Sequence, residues 1–253
     1  MAVQTIDRAV ALLSAFSAAR PVASVSYLAE VTGLTRSTAH RLLSSLVEHG
    51  LAVQLPESTD YCLGPRLLGL ADTAKSQLSL ELQAEGAMRA LRDFTGETVG
   101  LHVMDDTPVR RTIAQVESTK PLRRTYVDMG SPIPPHLGSP GKVLLAFAPS
   151  AVIDKVLSND MRDGVSGVRV DPDHLRAEFE QIRAEEYAVS LEGRVVGVAS
   201  IAVPVRDYSG RVVAALSVSV PSVRADTTTL TALAPRIFDA ALELSRQLGY
   251  RES

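Results

Sequence analysis

Residues 25–46, VSYLAEVTGLTRSTAHRLLSSL, constrain this chain more than any other stretch. Two short apolar-patterned segments meet at Gly33, where a tight turn wants a residue that tolerates positive φ. Ala29, four residues earlier, is small enough to sit where two helices cross. Leu34 plugs the turn into a core, and Thr35 is a good N-cap for the next helix. Ala39, Leu42, Leu43 and Leu46 then recur at helical spacing as an inward stripe. The opposite face carries Arg36, Ser37, His40 and Arg41 near the helix N-terminus. The pattern predicts a helix-turn-helix whose second helix, 36–49, offers that end to a DNA major groove. Arginine can bond guanine bidentately, and Thr35, Ser37 and Thr38 suit phosphate or base edges. The helix N-terminus itself favours a phosphate. A plain helical packing unit with a solvated polar face would show the same spacing. The next residues favour DNA: strands at 51–55 and 61–63, separated by PESTD, read as a β-hairpin wing.

Charge argues for caution about where contact is made. The chain carries a formal net charge of −3. Up to residue 76, Arg8, Arg20, Arg36, Arg41, Arg66 and Lys75 are balanced by Asp7, Glu30, Glu48, Glu57, Asp60 and Asp72. DNA binding then needs a local cluster, not a basic domain. Glu57 and Asp60 at the wing tip would repel phosphate, which leaves most of the contact to helix 36–49.

The 253 residues allow one large domain or two ordinary ones. The pattern divides them into 1–70, a DNA-binding domain; 71–95, connector helices at 65–76 and 80–94; and 96–253, an effector-binding domain. Strands are expected at 98–104, 111–116, 122–127, 187–191, 195–205 and 211–220. Helices are expected at 141–148, 151–157, 173–186 and 227–248. The fold class is α+β, with a largely antiparallel sheet in the second domain. Ser217 and Ser219 alternate with Leu216, Val218 and Val220 and share one face of the last strand.

Other chemistries find little support. Cys62 is the sole cysteine, which excludes an intrachain disulfide and multi-cysteine zinc sites. His40, His49, His102, His136 and His174 have no metal-ligand spacing, and no cofactor is implied. Ser139 to Lys142 fits the S-x-x-K nucleophile motif, but its companion S-D-N and K-T-G elements are missing. Gly141-Lys142 lacks the earlier glycine of a phosphate loop, His136 standing there. An enzyme with a helical assembly domain stays open as the rival reading, and turnover of the ligand discriminates it. Residues 5–17 read as an amphipathic helix with Ile6, Val10, Leu13 and Phe16 on one face, not as a leader. No apolar run reaches about 18 residues, so no membrane partner is expected and a cytoplasmic location is.

Several motifs in order carry a family resemblance: Thr5 to Leu13 (TIDRAVALL), Gly33 to Leu43 (GLTRSTAHRLL), Leu46 to Leu51 (LVEHGL) and Tyr61 to Gly64 (YCLG). Further on come His136 to Ala146 (HLGSPGKVLLA), Val198 to Asp207 (VASIAVPVRD) and Ala214 to Ser219 (AALSVS). Over essentially its whole length the chain resembles the IclR (isocitrate lyase regulator) family of bacterial transcription factors. The resemblance implies an N-terminal winged helix-turn-helix and a C-terminal GAF-like α/β effector domain. It also implies homodimers or homotetramers on palindromic double-stranded operators, and small organic effectors such as organic acids or aromatics. Carried across by motif, the effector site is expected at Ser139, Pro140, Ser190, Ser200, Ser217 and Ser219, with Leu122, Thr125 and Ile133 as walls. Ser190 and Ser200 stand where relatives that bind small keto acids tend to carry Asp and Cys. The family's acidic pair between Tyr187 and Gly197 is reduced to Glu192. The expected pocket is thus a cluster of neutral hydroxyls without fixed charge, open to a carboxylate or a neutral polar ligand.

Overall fold

The computed structural model describes residues 3–17, 19–56, 58–77, 79–105, 107–126 and 129–252, with backbone alone at 74–77. The chain divides into two compact units, Met1–Ser79 and Leu80–Ser253. The first contains α1 (Gln4–Ser14), β1 (Val22–Ser24), α2 (Val25–Thr32), α3 (Arg36–Glu48), β2 (Ala52–Gln54), β3 (Asp60–Leu63) and α4 (Arg66–Gln77). Local signals set the helix ends. The Ser24 hydroxyl caps α2 by accepting from Tyr27 N at 3.2 Å, and Gly33 ends it at φ +65°. The Thr35 hydroxyl then caps α3, accepting from Thr38 N at 3.3 Å. Leu12, Leu28, Ala29, Ala39, Leu43 and Tyr61 are buried together in one core.

β1 falls in a stretch around Pro21 that reads as a linker in sequence. Three residues have no periodicity of their own. What makes them a strand is β3, far along the chain, with Val22 opposite Cys62 and Ser24 opposite Asp60. The sheet order β1-β3-β2 completes the winged fold. Gly64 follows β3 at a point of close approach: a Cβ there would sit 2.1 Å from the Gly50 carbonyl oxygen and 2.8 Å from Ala52 N. Glu57, assigned to the wing tip in sequence, lies outside the described residues.

The second unit contains α5 (Leu80–Thr95), β4 (Thr98–Met104), β5 (Arg110–Val116), α6 (Gly138–Ala146), α7 (Ser150–Leu157), α8 (Pro172–Glu185), β6 (Ala188–Leu191), β7 (Val198–Arg206), β8 (Val212–Pro221), α9 (Thr227–Thr231) and α10 (Ala234–Gln247). Its sheet has the order β5-β4-β8-β7-β6, and every neighbouring pair is antiparallel. Side chains alternate between two faces. Val99, Leu101, Ile201, Val203, Leu216 and Val218 pack with Met88 and Leu91 of α5 and Ile237 and Leu244 of α10. Each such side chain contributes about 1.5–3 kcal/mol on full burial. The opposite face is apolar at one end only. There Ala188, Ala202 and Ala215 meet Val143 and Leu145 of α6, with Leu175 and Phe179 of α8 behind.

Two expected elements differ. The stretch 227–248 is broken between α9 and α10, because Pro235 has no N–H to give to the carbonyl one turn earlier. The expected strand at 122–127 is irregular as far as Tyr126, and Val127 lies outside the described residues. Its backbone is held by side chains in place of a ladder. Gln115 accepts from Tyr126 N at 2.8 Å and donates to Tyr126 O at 3.3 Å, and Thr98 donates to Arg124 O.

At its other end the second face of the sheet is polar yet buried. A register shift at Leu101/His102 puts Thr112 opposite His102 and Ala114 opposite Leu101. The extra residue, Ile113, lets Arg110 and Thr112 face the polar side while Ala114 and Val116 pack toward α5 and α10. His102 Nδ1 lies 3.2 Å from Arg110 Nη1 and 3.0 Å from Thr112 Oγ1, and its Nε2 lies 2.8 Å from Ser217 Oγ. Guanidinium only donates, so Nδ1 accepts and the ring proton sits on Nε2. Ser217 takes that proton's hydrogen bond and points toward Gly100 O at 3.4 Å. Burial, then the Arg110 and Arg194 charges, hold the His102 pKa well below its ordinary 6.5.

Two outcomes follow. Gly64→Ala should destabilise the winged unit by about 1–3 kcal/mol or more, since backbone atoms obstruct the new methyl; calorimetric melts indistinguishable from the parent protein would refute the close packing. His102 is neutral when folded and protonates more readily when unfolded. Its contribution to stability is therefore complete above 6.5 and lost as pH falls toward its depressed folded value, at up to about 1.4 kcal/mol per pH unit. Thermal melts between about pH 5 and 7.5 should show this slope, and His102→Asn should flatten it. Equal slopes in both proteins would remove His102 as its source.

Candidate functional site

Two surfaces carry organised polar groups. The first is the N-terminal half of α3. Thr35, Arg36, Ser37, His40 and Arg41 are exposed, and Thr38 is half-buried. Thr35 is committed to the helix start: besides capping, its hydroxyl lies 2.9 Å from Thr38 Oγ1 and 3.2 Å from Ser37 Oγ. Arg41 lies opposite buried Ala39, Leu42 and Leu43, and exposed Arg36 and His40 lie on the flank of that stripe. Arg36, His40 and Arg41 leave an arginine-bearing edge at a helix N-terminus, where unpaired N–H groups also favour anions.

The second surface is the polar end of the large sheet. A cavity is lined there by Arg110, Arg124, Tyr126, Gly138, Pro140, Ser190, Arg194, Val195, Val198, Ser200 and Ser219. Alternation places Ser190, Ser200 and Ser219 side by side, since Ser190 pairs with Ser200 and Ser200 with Ser219 in the ladder. Two of these hydroxyls are oriented from outside the sheet. Ser139 of α6 bonds Ser200 at 2.7 Å, and Tyr126 bonds Ser219 at 2.6 Å.

Arg110 is the largest side chain among those almost completely buried, at 2% exposure. Its Nη1 donates to His102, and its Nε has no hydrogen-bond partner among the described residues. Burial, followed by the nearby Arg194 and Arg124 charges, lowers its pKa to about 10, with Tyr126 acting in the opposite direction. It therefore remains charged at neutral pH. Arg124 stands 5.1 Å from the centre of the Tyr126 ring, a cation–π distance. Both are brought in by a strap at residues 117–126. That strap is tied down by Ser118 to Gly96 O, by Thr98 to Arg124 O and by Arg224 to Leu122 O, while Glu97 is clamped between Lys120 and Arg224.

Of the sequence-named residues, Pro140, Ser190, Ser200 and Ser219 line this cavity. Ser139 touches it through Ser200, and Ser217 is one step removed, beneath His102. Leu122 is exposed, and Thr125 is half-buried between two lining residues without being one. Ile133 pairs by backbone with Arg110, behind the wall. The sequence reading missed Arg110, Arg124, Arg194 and Tyr126, so the cavity is not an uncharged hydroxyl cluster. A signal existed: Arg110 and Arg124 each belong to an adjacent arginine pair, and neighbouring residues of an extended chain point opposite ways. Glu192 turns from the cavity to bond Gly197 N and Ser222 Oγ.

A larger depression, near Phe147 and Arg211, is open, and its charged groups are already matched: Asp105 to Arg111, Arg206 to Glu186 and Arg211 to Asp207. The S-x-x-K pair does not assemble, since Lys142 Nζ binds Glu178 at 2.7 and 2.8 Å while Ser139 faces Ser200. Among the described residues no group of three or more His, Cys, Asp or Glu could hold a metal ion. No helix among them is long and apolar enough to cross a membrane.

Both units have counterparts among known proteins. Residues 5–56 match the IclR helix-turn-helix domain, and residues 73–246 match the bacterial transcriptional regulator IclR C-terminal domain. The HTH-type transcriptional regulator XynR of Escherichia coli K12 is 30% identical over 98% of each chain. The crystal structure of Pseudomonas aeruginosa HmgR is 26% identical, with a TM-score of 0.74 over 99% of this chain and 100% of that one. An IclR homolog from Microbacterium hydrocarbonoxydans, solved with 4-hydroxybenzoate, is 26% identical, with a TM-score of 0.59 over 97% and 99% of the two chains. A winged helix-turn-helix, an antiparallel α/β second unit and matches spanning both place this chain in the IclR family of bacterial transcriptional regulators.

Proposed function

We propose that this regulator binds a palindromic operator through α3 and that a small metabolite in the sheet cavity controls its operator affinity. The observation that carries the DNA half is the exposed polar edge of α3, with Arg41 opposite a buried stripe and Arg36 and His40 on its flank. In this reading Arg41 reads a base edge, Arg36 and His40 approach bases or phosphate, and Thr35, Ser37 and Thr38 fix the helix start on the backbone. The first unit has balanced charge in sequence, so specificity rests on few contacts and the wing adds little. A palindrome calls for two copies. Ile6 and Val10 of α1 and Leu82 and Phe94 of α5 are exposed apolar side chains that suit contacts in a homodimer or homotetramer. The site of action is the cytoplasm, where bacterial DNA lies.

The effector half rests on a cavity whose lining hydroxyls are buried and pre-oriented. Ser190, Ser200 and Ser219 contact the ligand in this reading. Ser139 and Ser217 position other groups, and Pro140 forms a wall. The relative solved with 4-hydroxybenzoate supports a small organic ligand for this chain. Control follows from linkage: the ligand shifts DNA affinity only by its differential affinity for the two states.

The test is fluorescence-anisotropy binding to DNA from upstream of the protein's own gene, at two salt concentrations, against a scrambled duplex. Specific binding should weaken steeply with salt. Arg41→Ala should weaken it by about tenfold to a hundredfold, equivalent to about 1–3 kcal/mol, and relax the sequence preference at one base pair of each half-site. Operator binding unchanged in that variant would take Arg41 off the contact surface.

A further inference from the structure

We propose that the ligand of the sheet cavity is a compact dianion, with its carboxylate or phosphate oxygens held by Arg110, Arg124 and Arg194 beside the hydroxyls of Ser190, Ser200 and Ser219. The proposal rests on the cavity being the effector site and adds the charge of the occupant. Among the described residues three guanidinium groups line the cavity and no carboxylate does. The contrast with their neighbours is sharp. Arg111, next to Arg110, pairs with Asp105 at 3.0 Å, and Arg123, next to Arg124, pairs with Glu117 at 3.1 Å. Among the described residues neither Arg110 nor Arg124 has an acidic partner. Each adjacent pair thus sends one arginine to a surface acid and the other into the cavity.

Burying a cation without a counter-charge is costly, and three like charges around one small space add repulsion. The folded chain meets part of that cost with Arg110 Nη1 on His102 and Arg124 on the Tyr126 ring, but Arg110 Nε has no partner among the described residues. Arg194 makes other interactions within the chain. Among the described residues two guanidinium charges, those of Arg110 and Arg124, therefore lack an ion pair. A monoanion would neutralise one of them. A dianion neutralises both, and its oxygens match the planar donor forks of arginine. Burial first, and then the Arg194 and Arg124 charges, lower the pKa of Arg110.

Isothermal titration calorimetry on the full chain tests this at constant ionic strength and about pH 8, where phosphate monoesters are fully dianionic. The probes are succinate, glycerol 3-phosphate, butyrate as a monoanion and butane-1,4-diol as a neutral compound. At least one dianion should bind about tenfold or more tightly than butyrate, and the diol should not bind. Which dianion wins separates carboxylate from phosphate recognition. Arg124→Gln and Arg194→Gln, both at half-buried positions, should each weaken the dianion about tenfold or more; Arg110→Gln is not relied on, since its burial puts folding at risk. Ser219→Leu, which fills the cavity, should abolish binding. Butyrate or the diol binding as well as the dianions, with Ser219→Leu abolishing all of it, would overturn the dianion and leave the cavity as the effector site. Dianion binding untouched by Ser219→Leu would overturn the site itself. Neither dianion binding at about 10 mM, or full affinity in both Arg→Gln variants, would overturn the dianion proposal.

Discussion

The alternation along β7 and β8 is the constraint on which the second unit depends. One face, through Ile201, Val203, Leu216 and Val218, is closed by α5 and α10. The other is divided along the strands. Where it carries Ala202 and Ala215, helix α6 can approach closely. Where it carries Ser200, Ser217 and Ser219, no apolar partner could be tolerated without leaving buried hydroxyls unbonded, at about 1–3 kcal/mol each. A slip of one residue in register would exchange the two faces and bury serines under α10. The same alternation that makes the core thus fixes where a cavity must be.

That division explains the buried charge. Arg110 reaches the polar face only because the register shift at Leu101/His102 accommodates Ile113 as an extra residue. Its guanidinium then meets a histidine that accepts, not one that donates. A protonated His102 would set two cations together in a site without acids. The tautomer, the depressed pKa and the Ser217 contact form one consistent solution to burying an arginine in a sheet. Ser217 belongs to the site in this sense, beneath the arginine and away from the cavity.

What could be read from the sequence was local or periodic. Gly33 and Thr35 punctuate the helix-turn-helix by their own backbone chemistry, and the structure has the helices within a residue or so of those positions. β4 coincides with the expected strand because its alternation is uninterrupted. Ser217 and Ser219 could be placed on one face of β8 by counting in twos, whereas Ser190 and Ser200 came from the family resemblance. The failures are those in which distant atoms decide. β1 exists because β3 pairs with it. Residues 122–126 have strand-like composition, yet the Gln115 amide takes the hydrogen bonds a neighbouring strand would supply. Pro235 is a local signal whose consequence, the split of the last helix, went unread. Arg124 is invisible to periodicity because it sits on that strap, and Arg110 because its parity is set by a bulge.

The strap at 117–126 is also where the wall of the cavity differs in kind from its floor. Ser190, Ser200 and Ser219 are fixed by continuous backbone ladders, which cannot shift one residue without disrupting the sheet. Arg124 and Tyr126 are held instead by discrete side-chain bonds from Thr98, Gln115 and Ser219, together with the Arg224 contact at Leu122. Each such bond contributes about 0.5–1.5 kcal/mol net. A contact between a ligand anion and Arg124 competes on that scale, because charge-assisted bonds are roughly twice as strong as neutral ones. Ligand energy can therefore be expressed in the position of the strap, where it is comparable with what holds the segment, and far less in the strands, where it is small beside the ladder and the core beneath it.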